Sequence, residues 1–227
     1  MHNRTDYRMM RIPMTTKKKL HIELIIVIAA VAIISVLVPI GLIGIMLWGS
    51  INAKPEVYDE IKNYYTEYMS FSYDDNTDTI WASKWGMDES IWPRMINDVS
   101  DVTDFKMVYY NPWDAQYLGY LVIDYSAEEY AAEAARLKEY SSTDYVGYYS
   151  VMEEHTYELL AINADKYQGF VYALTDGNNR IIYAEEIFCN YYMDLDYKEY
   201  IPAEYLLDGF DATEDNPYRK KMMNDRQ

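Results

Sequence analysis

The chain has 227 residues, half of them hydrophobic, and a formal net charge of −17. This size and composition allow one ordinary domain with a packed core, plus an appendage. The negative charge argues against a nucleic-acid partner, because phosphate backbones are bound through lysine and arginine. One cysteine excludes an internal disulfide bond and a multi-cysteine zinc site, and three histidines leave little material for histidine-based catalysis.

The strongest feature in chain order is an uncharged apolar run of 25 residues, Leu24–Trp48. As a helix it would be about 37 Å long, whereas a bilayer's hydrocarbon core is about 30 Å thick. The run therefore predicts a transmembrane helix within residues 21–49, loosened or kinked after Pro39. A cleaved signal peptide is the alternative, but its apolar region is usually only about 7–15 residues long.

The charges on the two sides of this run predict its orientation. Residues 1–20 contain six basic residues and one acidic residue, whereas residues 50–227 contain 14 basic and 35 acidic residues, a net charge of −21. The positive-inside rule then places residues 1–20 in the cytoplasm as a basic tail. Residues 50–207 become an extracytoplasmic domain, followed by a polar C-terminal tail, 208–227, that we expect to fray.

The compartment follows from composition. Asn-x-Ser/Thr sequons are absent after residue 50, and the single cysteine lies outside the apolar run. Both features favour a bacterial cell membrane over a eukaryotic secretory route. We therefore expect a single-pass protein of a bacterial cell surface.

The segment Lys17–Pro39, KKKLHIELIIVIAAVAIISVLVP, resembles the N-terminal segment of type IV prepilins. In that family a short basic leader precedes a cleavage site, and a glutamate and an apolar helix with a proline follow it. Glu23 stands at the position of that glutamate, with Pro39 16 residues later. Lys18 and Lys19 stand where the family has a glycine and usually an aromatic residue. The resemblance implies a pilin-like or secretion-apparatus subunit that loses the residues up to Lys18.

The first part of the outer domain combines helical and strand patterns. Pro55 opens a predicted helix, residues 70–79 an acidic loop, and residues 80–97 short helices broken at Pro93. The apolar residues at helical spacing after Pro55 are Val57, Ile61, Tyr64, Tyr65 and Tyr68. Phe105–Tyr110 and Tyr117–Asp124 predict two strands that pair as a hairpin around an Asn-Pro turn.

The second part gives the clearest local signals. Residues 126–140 predict a helix that begins with a capping box of Ser126 and Glu129. Three strands follow, at residues 157–163, 170–174 and 180–189, with a hairpin turn at Asp176-Gly177-Asn178-Asn179. This order predicts an α+β fold, an antiparallel sheet with helices on one face.

Two acidic clusters are candidate calcium sites. Asp74, Asn76 and Asp78 match the first ligands of a calcium loop, but Thr79 and Trp85 stand where glycine and a bidentate glutamate are needed. The second cluster, in the polar tail, consists of Asp208, Asp211, Glu214 and Asp215. We interpret both as solvated acidic segments, and the sequence assigns no metal, cofactor-binding or catalytic residue.

Four other residues carry side chains of a reactive type. His155 has acidic and polar neighbours, which indicates an exposed turn and no catalytic role. Cys189 ends an apolar strand and is interpreted as a small buried hydrophobic residue. Glu185 and Glu186 are adjacent on a predicted strand, so they face opposite sides and cannot act as a catalytic pair.

The resulting functional hypothesis is a membrane-anchored binding or interaction module without catalytic activity. Twenty-five of the 26 tyrosines lie after residue 50. Tyrosine and tryptophan supply flat surfaces with a polar edge, so the expected partner is a protein with a basic or neutral face, or a neutral glycan. The alternatives are the pilin-like subunit and an unrecognised surface hydrolase.

Overall fold

The computed structural model describes residues 14–64 and 84–225. The chain divides after Asn52 into a helical unit and a second compact unit. Helix α1 runs over Met14–Ile51 and continues through Pro39, so the loosening predicted there does not interrupt it. The hydroxyl of Ser35 donates to the carbonyl of Ala32 at 2.8 Å, a local bond that suits a helix in an apolar medium.

The second unit is built on one six-stranded sheet with the order β1-β2-β3-β6-β5-β4, in which every neighbouring pair is antiparallel. The strands are β1 Glu56–Tyr58, β2 Val102–Tyr110, β3 Gln116–Asp124, β4 Glu158–Asp165, β5 Gly169–Thr175 and β6 Arg180–Ile187. Helix α2, Ala127–Lys138, connects β3 to β4, and α3, Pro217–Asn224, lies near the C-terminus. The predicted α+β class with an antiparallel sheet is confirmed.

The local signals of the sequence act as predicted. Gly177 and Asn179 in the β5–β6 turn have φ angles of 75° and 69°, which these two residue types tolerate. At the start of α2, the Ser126 hydroxyl oxygen accepts the Glu129 N–H at 3.3 Å, and the hydroxyl donates to the Glu129 carboxylate at 2.7 Å. The β5–β6 hairpin and the cap of α2 are therefore confirmed.

Each face of the sheet has its own apolar core. On one face Ala134 and Leu137 of α2 pack against the sheet together with buried Trp92. The other face is covered by short 3-10 turns and by the C-terminal segment, where the rings of Tyr149 and Tyr218 lie 4.9 Å apart. The sequence predicts helices on one face only, whereas the structure has α2 on one face and α3 on the other. The strands that bury side chains on both faces require a cover on each side.

Two predicted boundaries need correction. The helix expected after Pro55 does not begin there: Glu56–Tyr58 form strand β1, in which Val57 pairs with Val108 of β2, and this tertiary pairing outweighs the helical spacing. Tyr65 and Tyr68 of the expected helix lie outside the described residues. The polar tail expected to fray from residue 208 is packed in its first half: Phe210 and Ala212 are buried in the second core. The composition of this segment is polar, but its few apolar side chains face the sheet.

The β4–β5 connection offers a test of how closely the sheet is packed. Gly169 has a φ of +116°, and a Cβ there would lie 1.9 Å from the Glu186 carbonyl oxygen. We expect Gly169→Ala to prevent cooperative folding, because the blocking atom is backbone. Gly147→Ala is the matched control: its φ is +82° but nothing lies within 4 Å, so we expect only the conformational loss of about 1–2 kcal/mol. Urea unfolding followed by circular dichroism measures both, and equal stability of the two variants would contradict the packing.

Candidate functional site

One end of the sheet gathers the exposed aromatic residues. The register forms a continuous row across all six strands: Glu56, Tyr109, Tyr117, Ile187, Gly169 and Asp165. We call this row, with the β2–β3 turn and the 3-10 turn at Lys84–Gly86, the aromatic end of the sheet. Trp113 in the β2–β3 turn is 63% exposed and Trp85 is 40% exposed.

A buried ion cluster lies directly beneath this surface. The Lys84 ammonium is 2.8 Å from a Glu185 carboxylate oxygen and 3.2 Å from one of Glu89, and all three residues are at most 4% exposed. The Lys84 backbone N–H also donates to Glu89, at 2.9 Å. The Tyr117 ring centroid lies 5.0 Å from the ammonium, within range of a cation–π contact. The cluster joins the segment that precedes β2 to strand β6.

The charge of Lys84 is stabilised by this geometry. Burial alone would lower the pKa of its ammonium, but the carboxylates of Glu185 and Glu89 outweigh burial and raise the pKa above its ordinary value. Lys84 is therefore a cation at neutral pH. It serves as the counter-charge of two glutamates and is not a nucleophile.

Trp85 is held in a strained conformation by its surroundings. Its φ of 53° and ψ of 18° are left-handed, a region that costs about 1–3 kcal/mol for a residue other than glycine. Its indole N–H donates to the Ala115 carbonyl at 2.8 Å. The ion pairs of Lys84 fix the backbone immediately before it. The hydrogen bond to Ala115 holds this large ring in place while it stays 40% exposed.

Neighbouring tyrosines extend the aromatic end. The rings of Tyr109 and Tyr117 lie 5.3 Å apart on paired positions of β2 and β3. The Asn111 side-chain amide donates to the Tyr109 hydroxyl at 3.0 Å, which fixes that ring beside the turn. These residues form a rigid surface with apolar ring faces and polar edges, a composition suited to binding.

A second buried carboxyl lies on the opposite face of the sheet. Glu186 is fully buried, and the Tyr172 hydroxyl lies 2.9 Å from both a Glu186 carboxyl oxygen and the Tyr205 carbonyl. The Tyr172 hydroxyl is the donor to both of these oxygens. Burial, which outweighs the Tyr172 hydrogen bond, raises the pKa of Glu186 well above its usual range. Glu185 and Glu186 thus face opposite sides, as predicted.

His155 is partly buried in a bend and not in a fully exposed turn as expected. Its Nδ1 accepts the Asp208 backbone N–H at 3.1 Å, which requires that nitrogen to be unprotonated. Burial lowers the pKa of the imidazole, against the opposing effect of the Asp208 charge. The neutral ring therefore joins the 155 bend to the C-terminal segment, a structural role.

Cys189 follows β6 and is partly exposed, so the expectation of a fully buried thiol is only partly met. Burial raises the pKa of this thiol to about 12, with hydrogen bonding to Asp114 adding to the effect. Asp114 also accepts the Asn190 amide at 2.6 Å. A thiol in this environment is protonated at neutral pH and is a poor nucleophile.

Only one of the two acidic clusters lies within the described residues. Asp74, Asn76 and Asp78 lie outside the described residues. In the polar tail, each carboxylate has its own contact, and three of the four contacts are with a residue two to five positions away. These contacts are Asp208 with Thr156, Asp211 with Thr213, Glu214 with Arg219, and Asp215 with Lys220. Within residues 14–64 and 84–225, no group of three or more histidine, cysteine or acidic side chains forms a metal site.

A pocket of about 390 Å³ lies between residues 192–198 and 213–214. Asp194, Asp196, Glu214 and Lys198 line it. Asp194 is engaged by Gln116, whose side-chain oxygen accepts the Asp194 backbone N–H at 3.0 Å and whose amide donates to the Asp194 carboxylate. The Asp196 carboxylate accepts the Lys198 N–H at 3.2 Å as the cap of a 3-10 turn. The Asp194 and Asp196 carboxylates thus already accept hydrogen bonds from other residues of the domain.

Sequence reasoning missed the ion cluster and the exposed tryptophan above it. Lys84 and Glu185 are 101 positions apart, and no local pattern connects them. The available signal was weak: a lysine next to a tryptophan, followed by glycine, in a segment without strong periodicity.

Removing the buried lysine tests whether the cluster stabilises the fold. Lys84→Met removes the ammonium that pairs with buried Glu89 and Glu185, so we expect a loss of about 3–5 kcal/mol in the free energy of unfolding. The triple variant Lys84→Met, Glu89→Gln, Glu185→Gln should recover most of it, because no charge remains buried. Lys138→Met is the matched control: its ion pair with Glu158 is 57% exposed on both sides, so we expect a change of at most about 1 kcal/mol. A Lys84→Met variant as stable as the control would contradict a structural role.

The protonated state of Glu186 predicts a pH dependence. A carboxyl with a raised folded pKa contributes stability that is complete below the unfolded value of 4.5 and is lost as pH rises toward the folded pKa. Glu186→Gln cannot ionise, so its stability relative to the unaltered chain should increase with pH above 4.5, by at most about 1.4 kcal/mol per pH unit. Urea unfolding between acidic and mildly alkaline pH measures this difference. Exposed Glu153→Gln should give a curve parallel to that of the unaltered chain, and a parallel curve for Glu186→Gln would refute the protonated carboxyl.

Comparison with known proteins gives no relative on which to model this site. No protein-family model, no curated protein and no solved structure matches the chain.

Proposed function

We propose that the chain is a single-pass membrane protein whose acidic α+β domain lies outside the cell membrane and binds a partner without catalysing a reaction. The observation that carries this proposal is the stretch His21–Ile51 of α1, which has the length and apolar composition of a membrane span and of which none is buried against protein. An apolar helix of this kind lowers its free energy by entering lipid.

The orientation rests on charge. The basic residues before the span favour a cytoplasmic N-terminus, since they are retained on the inner side. Trp48, which is 72% exposed near the other end of α1, is suited to the outer interface between headgroups and hydrocarbon. The domain with a net charge of −21 then lies outside.

The binding role rests on the aromatic end of the sheet. Trp85 and Trp113 are exposed although tryptophan usually contributes its large apolar area to cores and interfaces. By contrast, the buried groups Lys84 and Glu186 have structural partners on either side of the sheet. A protein with a basic or neutral face, or a neutral glycan, is the expected class of partner.

The alternatives make different predictions. A surface hydrolase would use the carboxylates of the pocket at residues 192–198, so substitution of Asp194 and Glu214 would abolish a hydrolytic activity. A pilin-like subunit would lose the residues up to Lys18, which intact-mass measurement of the protein from cells would show.

Fractionation and protease accessibility test the anchor and its orientation. In cells that carry tags on both ends of the chain, we expect the protein to resist carbonate extraction. Protease added to wall-stripped cells should remove the C-terminal tag and spare the N-terminal one. Val36→Lys with Leu37→Lys should reduce membrane retention, since each central lysine costs about 2.5–3.5 kcal/mol of insertion free energy.

The matched control places two lysines on the exposed surface, Asn178→Lys with Glu204→Lys, and should leave retention unchanged. Complete carbonate release of the unaltered chain would contradict the anchor. A protected C-terminal tag would contradict the orientation.

A further inference from the structure

We infer that the aromatic end of the sheet is a membrane-contacting surface that inserts tryptophan and tyrosine rings among the headgroups of zwitterionic lipids. The inference rests on the proposed anchor, and it assigns this surface to lipid in place of the protein or glycan partner proposed above. Three independent observations point to it: the length of the chain between α1 and β1, the chemistry of the exposed side chains, and the distribution of charge.

The chain length limits how far this end can be from lipid. Helix α1 ends at Ile51 and β1 begins at Glu56. Five residue steps span at most about 18 Å when fully extended, at about 3.6 Å per residue. Glu56 pairs with Tyr109 and so belongs to the aromatic end. If Ile51 leaves the bilayer at its surface, this covalent limit keeps the start of β1 close to the headgroups.

The other end of the sheet has no such constraint. Asn178 lies in the turn between β5 and β6, beyond Arg180, at the opposite end of β6 from Ile187. A strand of this length spans about 24 Å, at about 3.4 Å per residue. The two ends of the sheet therefore differ both in their distance from the tether and in composition.

The side chains at the aromatic end are those that favour a membrane interface. Tryptophan and tyrosine have an apolar body and a polar tip, and they are enriched where hydrocarbon meets water. Trp113 is 63% exposed at the turn, and Tyr110 and Tyr167 are partly exposed beside it. The indole N–H of Trp85 already donates to Ala115, so its ring can meet acyl chains without losing a hydrogen bond to water.

The charges near this end favour zwitterionic over anionic lipid. Exposed Lys54 and the exposed ammonium of Lys166 lie on the connections next to the row, where they can contact lipid phosphates. Glu56, Asp114 and Asp165 also lie there, and the outer residues carry a net charge of −21. A strongly anionic surface would therefore repel the domain, whereas a phosphocholine layer presents both signs without a net charge.

An environment-sensitive probe on the full chain in vesicles tests the inference. In a Cys189→Ala background, Asn111→Cys places a fluorescent nitrobenzoxadiazole label at the aromatic end, and Asn178→Cys places it at the other end. Both positions are exposed turn asparagines. In phosphatidylcholine vesicles we expect the label at 111 to shift to shorter wavelength and gain intensity, because it enters the headgroup layer. The label at 178 should keep its emission in water.

Substitution of the tryptophans identifies the residues responsible. Trp113→Ser with Trp85→Asn should abolish the shift at 111, since asparagine tolerates the left-handed backbone at 85 without supplying a ring. The matched control, Val146→Ser with Met152→Asn, removes two apolar side chains that are each 52% exposed and should leave the shift intact. Partial replacement of phosphatidylcholine by phosphatidylglycerol should weaken the shift at low salt.

Vesicle flotation separates the possible failures. A chain that floats with the vesicles but shows no shift at 111, or an equal shift at 178, overturns the inference and leaves the proposed anchor standing. A chain that does not float overturns the anchor itself. If the emission of the label at 111 does not change with lipid but changes with a neutral oligosaccharide, the inference is also overturned and the surface is assigned to a glycan. A stronger shift with anionic lipid would refute the charge argument.

Discussion

The buried ion cluster is the constraint on which the aromatic end of the sheet depends. Two glutamates and one lysine leave water together, and their mutual ion pairs replace part of the hydration that each loses. The lysine is thereby fixed between a segment before β2 and the strand β6. Movement of Lys84 would break its ion pairs with two buried carboxylates. The backbone of the next residue, Trp85, is therefore held in a left-handed conformation. An interaction in the interior thus determines what the surface presents.

The same strand shows how environment decides the chemistry of neighbouring identical residues. Glu185 faces a lysine and accepts its hydrogen bond, whereas Glu186 faces the other side of the sheet and accepts a hydrogen bond from a neutral tyrosine. The strand alternates its side chains between two cores, so a shift of one position exchanges a charged environment for an apolar one. Neither carboxyl is available to a substrate from solvent, since both are fully buried.

The elements that sequence reasoning predicted are those with local causes. The apolar run of α1, the Ser126 cap and the turn containing Gly177 each depend on residues a few positions apart, and each forms where predicted. The elements that sequence reasoning predicted wrongly depend instead on residues far apart in the chain. Glu56–Tyr58 lie where the spacing predicts the start of a helix, but they form an edge strand because β2 offers them partners 49 to 53 positions along the chain. Phe210 is buried because the sheet's second face needs a cover, although its neighbours are polar.

Composition and short spacings encode the apolar helix, the acidity of the residues that follow it, the α+β class and the strands that form hairpins, so these features can be predicted from the sequence alone. Only the tertiary structure decided which charges are buried, which face each glutamate occupies, and which tryptophans remain in solvent. Lys84 and Glu185 meet across 101 positions, and their contact depends on strand order and register rather than on any local pattern. The acidic residues can therefore be counted in the sequence, but only the folded structure identifies Glu89 and Glu185 as the two that pair with Lys84.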